Sequence, residues 1–167
     1  MKTREMTPYQ VGVAAEGFAA ALFARAGFHV SVQYGANQPG YDLIVERNRV
    51  AYLISVKGSQ DGGWGLTQSY IKNANYHAAI DTWSKRHSAE LIFCFVQFQH
   101  KQHTEMPEVF LARATEVAAH LRASGGGLGD TVLWMKKEWK KGRRAGTADT
   151  IPEAWRFTKA RADKVLK

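Results

Sequence analysis

Asp42, Ser55 and Lys57 are the residues whose types and spacing could do chemistry. Asp42 opens the apolar run Leu43-Ile44-Val45, and Lys57 closes the run Leu53-Ile54-Ser55-Val56. Side chains on a strand alternate between faces, so Ser55 and Lys57 share one side while Ile54 and Val56 take the other. Glu46-Arg47-Asn48-Arg49 reads as a hairpin turn between the two runs, and such a hairpin can bring the Asp42 carboxylate alongside that same side. A carboxylate beside a lysine on neighbouring strand ends suits metal-dependent cleavage of a phosphodiester. The acid holds a hard divalent cation, usually magnesium. The cation makes its bound water more acidic and neutralises charge on the attacked phosphate. The lysine orients that water or stabilises the developing negative charge. The plainer alternative is that Asp42 caps a turn and Lys57 is a solvated strand end.

The elements that must position these groups follow from local pattern. Thr7 as N-cap, Pro8 in the first turn and Gly27 as a stop predict a helix over Tyr9–Ala26. Phe28–Tyr34 reads as a strand ended by the turn-rich segment Gly35–Gly40. Tyr41–Val45 and Val50–Lys57 read as the paired strands, Gly58–Gly65 as a loop with four glycines, and Leu66–His87 as a long helix. Glu90–Gln99 is the most strand-like segment and is expected inside a sheet. After a polar loop, Glu108–Leu111 reads as a strand, Thr115–Ala123 as a helix, Thr131–Lys136 as a strand and Ile151–Lys167 as a terminal helix. This order predicts one α/β domain with a mixed sheet flanked by helices. Neither Gly62-Gly63-Trp64-Gly65 nor Gly125-Gly126-Gly127-Leu128-Gly129 fits a Walker or dinucleotide fingerprint, and both read as loops.

On the first helix, Glu16 lies within about 20° of Phe23, with Ala19 and Ala20 between, on a face that should touch the sheet. An acid on such a face needs a partner or a metal.

An acid-bearing helix, a glycine-ended turn, a strand opening with Asp, a hairpin and then a strand ending x-x-Lys occur here in sequence. This order resembles the core of the PD-(D/E)XK nuclease superfamily, and most closely its small stand-alone phage and bacterial members. The likeness spans about residues 10–100 and implies a restriction-endonuclease-like core, with residues 101–167 as a β-α-β extension and terminal helix. It implies that Asp42 and Glu16 hold magnesium or manganese, that the main-chain carbonyl of Val56 is a further ligand, and that Lys57 is the motif lysine. It also implies a metal-dependent endonuclease or junction-resolving enzyme acting on DNA, and a homodimer as in many such proteins. Ser55 is the departure, because Glu, Asp or Gln is usual there. A serine hydroxyl is short, neutral and a weak magnesium ligand, so Gln60, Asp61 and Gln68 are candidates to compensate. The same departure supports an alternative: a nuclease fold retired from catalysis and kept as a nucleic-acid-binding or accessory interaction module.

Composition agrees with a polyanionic partner. The chain carries 23 Lys and Arg against 15 Asp and Glu, a net charge of +8. Counterion release from neutralised phosphates drives non-specific nucleic-acid binding. Lys136, Lys137, Lys140, Lys141, Arg143 and Arg144 surround a single acid and Trp139, a pattern that suits phosphate contacts with stacking on an exposed base. Lys72, on the predicted Leu66–His87 helix, could face nucleic acid as well. The single cysteine, Cys94, lies in an apolar run and excludes an intramolecular disulfide or a cysteine-only zinc site. No apolar run reaches the ~20 residues of a membrane span, and a cytoplasmic location is the expectation.

Overall fold

The computed structural model describes residues 5–33 and 40–167. The fold is mixed α/β. A five-stranded sheet has the order β1-β2-β3-β5-β6, with β1 His29–Val32, β2 Leu43–Arg47, β3 Val50–Ser59, β5 Ile92–Gln97 and β6 Glu108–Arg113. β3 and β5 run parallel, and every other neighbouring pair is antiparallel. Helix α2, Tyr76–Lys85, makes the crossover between the two parallel strands. The expected strand Glu90–Gln99 is β5, buried along its whole length between β3 and β6.

Alternation along the strands divides the core in two. Leu43, Val45, Ile54, Val56, Cys94 and Val96 face helix α1, Pro8–Arg25, and helix α4, Lys159–Val165. Phe93, Phe95, Phe110 and Ala112 face α2 and helix α3, Ala114–Ala123. Burial on the first face pushes the Cys94 thiol well above its usual range, which leaves it inert.

The start of α1 matches its sequence. Thr7 and Gln10 form a reciprocal capping box, and Pro8 sits in the first turn. The β2–β3 hairpin turns at Asn48 and Arg49, both at positive φ (55° and 65°), the backbone that a tight two-residue turn between twisted strands requires.

Three expectations need correction. Leu66–His87 is not one helix: a 3-10 turn at Gln68–Tyr70 is followed by a break, and α2 begins only after its N-cap Asn75, whose side chain accepts from Ala78 N. Asn73 and Ala74 take positive φ, which no helix accommodates. Gly58–Gly65 is not a plain loop. Gly58 and Ser59 finish β3, and Gly63–Gly65 is a strand, β4, paired antiparallel with β7, Val132–Trp134. The terminal helix is confined to Lys159–Val165, because Pro152 opens a 3-10 turn at Glu153–Trp155 and the chain then runs extended to Phe157, whose N–H donates to Val109 O. The expected turn over 35–40 lies, apart from Gly40, outside the described residues. None of the described helices is long and apolar enough to cross a membrane.

Candidate active site

The site forms where β2 stops short of the end of β3. Asp42 precedes the first residue of β2, and its backbone N–H donates to Ile54 O at 2.8 Å. Beyond that point no strand among the described residues pairs with β3 on this side. The Asp42 carboxylate takes the place of one: its Oδ2 accepts from Val56 N at 2.6 Å. A strand residue sends its N–H and its carbonyl out on the same side. The Val56 carbonyl therefore leaves β3 on the side that Asp42 occupies.

Glu16 reaches this notch from α1. The helix crosses β3 at Gly58 so closely that a Cβ there would lie 2.8 Å from Ala15 Cβ and 2.9 Å from Val11 O. Ala15, Ala19 and Phe23 bury the stripe of α1 that faces the sheet, and Glu16 flanks it, half-buried. The charges of Asp42 and Lys57 both act on Glu16. Its pKa is raised, first by burial and next by the Asp42 carboxylate, with the Lys57 ammonium opposing.

Lys57 is exposed and lies on the same face of β3 as Ser55. Its main-chain carbonyl accepts from Trp64 Nε1 at 2.9 Å, and Trp64 is itself buried against Phe95 with ring centroids 5.2 Å apart. Sequence reading did not single out Trp64, since a tryptophan between glycines looks like part of a loop. Ser55 is only 3% exposed and sits beside Phe93, its partner on β5. His87, another residue the sequence gave no reason to choose, packs its ring on Phe93 and Trp83 at 5.2 and 4.7 Å. Burial pulls its pKa down, and the charges of Lys57 and Arg86 add to this.

The side chains named as substitutes for a missing acid have other partners. Both amide atoms of Gln60 bond the Met6 backbone, at 3.1 Å to its N–H and 2.7 Å to its carbonyl. Asp61 accepts from Ser59 Oγ at 2.8 Å. The Gln68 amide lies against Gly65. Next to these groups an open cleft of about 340 Å³ is lined by Val56, Lys57, Asp61 and Trp64, with Pro8 and Val11 on its other wall.

The donor set can be tested against a magnesium ion. Among the described residues no group of three or more His, Cys, Asp or Glu is placed to hold a metal. Magnesium needs no such group, since it is commonly held by one or two carboxylates and keeps several waters. Asp42 and Glu16 supply two carboxylates, and the pKa of Glu16, raised first by burial and next by the Asp42 charge, shows that the two acids lie near enough to feel one another. A hard cation would relieve that charge, so the residues present fit one.

The basic run folds as a hairpin of β8, Lys136–Glu138, and β9, Ala148–Thr150. Lys137 and Arg144 turn inward. Lys137 Nζ lies 4.8 Å from the Trp134 ring centre and 5.3 Å from that of Trp139, and Arg144 lies 4.6 Å from Trp139 and 4.8 Å from Tyr76. Lys136 pairs with Glu138 at 3.2 Å. Lys140, Lys141 and Arg143 are exposed at the hairpin's far end, and Lys72 is exposed in the break before α2 rather than on a helix.

Comparison of the chain with protein-family models, with curated proteins and with solved structures gave no match.

Proposed function

We propose that this protein is a metal-dependent, endonuclease-like enzyme acting on DNA phosphodiester bonds, with a restriction-endonuclease-like core of the PD-(D/E)XK kind. The observation that carries this reading is that Asp42, just before β2, caps Val56 N–H on β3 and that its charge and that of Lys57 both act on Glu16 of α1. Asp42 and Glu16, with the Val56 carbonyl, would hold magnesium or manganese. The bound cation would supply charge neutralisation at the phosphate and a more acidic water. The chain's own contribution is positional. Asp42 is held by Val56 N–H, the backbone of α1 that carries Glu16 is seated by its close crossing over Gly58, and Lys57 lines the cleft with its carbonyl held by Trp64. From there its ammonium can orient the attacking water or stabilise negative charge developing on the phosphate.

A second reading is favoured by Ser55, which is buried and neutral where an acid would complete the ligand set. In that reading the fold has left catalysis and serves as a nucleic-acid-binding or accessory interaction module. The two separate on one experiment: incubation of supercoiled plasmid, single-stranded DNA and a four-way junction with magnesium or manganese, wild type beside Asp42→Ala. Cleavage by the wild type alone supports the enzyme. Salt-sensitive binding by both proteins without cleavage supports the module.

A further inference from the structure

We infer that the β8–β9 hairpin grips the phosphate backbone of double-helical DNA and makes no stacking contact with bases. The inference rests on the reading that the chain acts on nucleic acid, and it specifies which form. Sequence alone offers Trp139 as a stacking platform within a basic run. The structure commits that ring elsewhere. Its Nε1 donates to Asp149 Oδ2 at 2.6 Å, and the side chains of Lys137 and Arg144 both lie over its ring. Trp134 is equally engaged, donating to Asp130 Oδ2 at 2.9 Å and carrying Lys137 over its ring. The result is an alternating series, Trp134, Lys137, Trp139, Arg144 and Tyr76, that braces the hairpin against the start of α2. Arg144 also donates to Gly129 O, and the buried Asp149 accepts from Gly125 N, so the 125–129 loop is tied into the same brace.

What the brace leaves outside is charge without aromatic surface. Lys140, Lys141 and Arg143 are exposed, and no ion pair involves them among the described residues. Lys72, four residues before Tyr76, is exposed as well. Among the described residues Tyr9 is the single aromatic with a well-exposed ring, and it lies in the first turn of α1, not on the hairpin. Proteins that hold single strands without sequence preference depend on exposed aromatics for much of their affinity, whereas phosphate contacts position a duplex and carry no sequence information. A duplex also presents phosphates at about twice the density along its axis. A rigid, cation-only tip therefore fits a double helix better than a flexible strand.

Binding is measured on the full chain in EDTA, so that cleavage cannot intervene. The probes are 20-base-pair DNA duplexes of differing sequence and single strands of equal length, followed by fluorescence anisotropy over a salt series. The expected result is tighter binding to duplex than to single strand, with no preference among duplex sequences. Lys140→Ala/Lys141→Ala/Arg143→Ala, all surface changes, should flatten the slope of log affinity on log salt by about 0.9 per cation removed. Trp139→Phe should leave duplex affinity within about twofold, since no base rests on the indole. Preference for single strands would overturn the inference, as would tryptophan quenching by oligothymidylate that Trp139→Phe abolishes. An unchanged salt slope in the triple variant would also overturn it, while metal-dependent cleavage could still stand. Absence of binding to any DNA at low salt would remove both this inference and the reading beneath it.

Discussion

Trp64 Nε1 donates to the main-chain carbonyl of Lys57 across seven residues of chain, and this bond joins the candidate lysine to the second core. Trp64 belongs to β4, whose partner β7 leads through Trp134 into the braced hairpin. The end of β3 is thus held from the far side of the molecule, by a segment that is glycine-rich because its neighbours come close. A Cβ at Gly63 would meet the Trp134 ring at 2.9 Å.

Trp64→Phe keeps most of the apolar volume and removes the donor. The Lys57 carbonyl keeps its place in the ladder with β5, so the loss is that of one of two hydrogen bonds, about 0.5–1.5 kcal/mol. Urea unfolding should show that loss, with the slope unchanged. A loss near zero would mean that water replaces the indole and that the bond does not hold the strand end.

The two oxygens of Asp42 have separable tasks. One accepts from Val56 N–H at 2.6 Å, and the charge as a whole is what a cation would recognise. Asp42→Asn can keep the hydrogen bond through its amide oxygen while removing the charge. Its Tm without metal should stay close to that of the wild type, and the rise in Tm on adding magnesium or manganese should disappear. Asp42→Ala loses both, and should be less stable by about 1–3 kcal/mol even without metal. Equal metal-induced stabilisation of the Asn variant and the wild type would remove Asp42 from the ligand set.

Much of this site was legible in the sequence because its geometry is local. Thr7, Pro8 and Gln10 specify the start of α1, and Asn48-Arg49 closes a hairpin whose register sets Asp42 near Ser55, so the faces of Asp42, Ser55 and Lys57 followed from alternation. What was not legible depends on contacts distant in sequence. Nothing near Gly63 announces its pairing with Trp134, seventy-one residues away. Nothing in the basic run shows that Lys137 and Arg144 are held between rings while Lys140 and Lys141 are not. The break before α2 was hidden because Ala74, a strong helix former, takes a positive φ that its helix propensity gives no hint of.

Two glycines of the site region separate close approach from mere small size. Gly58→Ala places a methyl against the Val11 carbonyl and Ala15, so α1 must lift from the sheet. Overpacking of this kind costs about 1–3 kcal/mol. Gly17, on the exposed side of the same helix, has nothing within 4 Å of a Cβ position. Gly17→Ala should gain about 0.5–1 kcal/mol from helix propensity. Chemical denaturation of the pair should give opposite signs, and a neutral Gly58→Ala would show that α1 is not seated against β3 as described.

Glu16 should make the stability of the protein depend on pH in a direction opposite to that of an ordinary ion-paired carboxylate. Its pKa is raised from 4.5 in the folded chain, by burial and by Asp42, so the fold binds this proton more tightly than the unfolded chain does. The stability it contributes is present below the unfolded value and is lost as the pH rises through the folded one. Glu16→Gln carries no proton to lose. Its stability relative to the wild type should therefore be flat at acid pH and climb as the pH rises above the ordinary glutamate value. Urea midpoints of both proteins from pH 3.5 to 7 in EDTA measure the difference. Added magnesium should reverse the order at neutral pH, because a cation held by Glu16 and Asp42 favours the ionised carboxylate. If the wild type instead gains on Glu16→Gln as the pH rises in EDTA, then Lys57 outweighs both burial and Asp42. Glu16 would then be a settled ion-pair partner and not a ligand waiting for a cation.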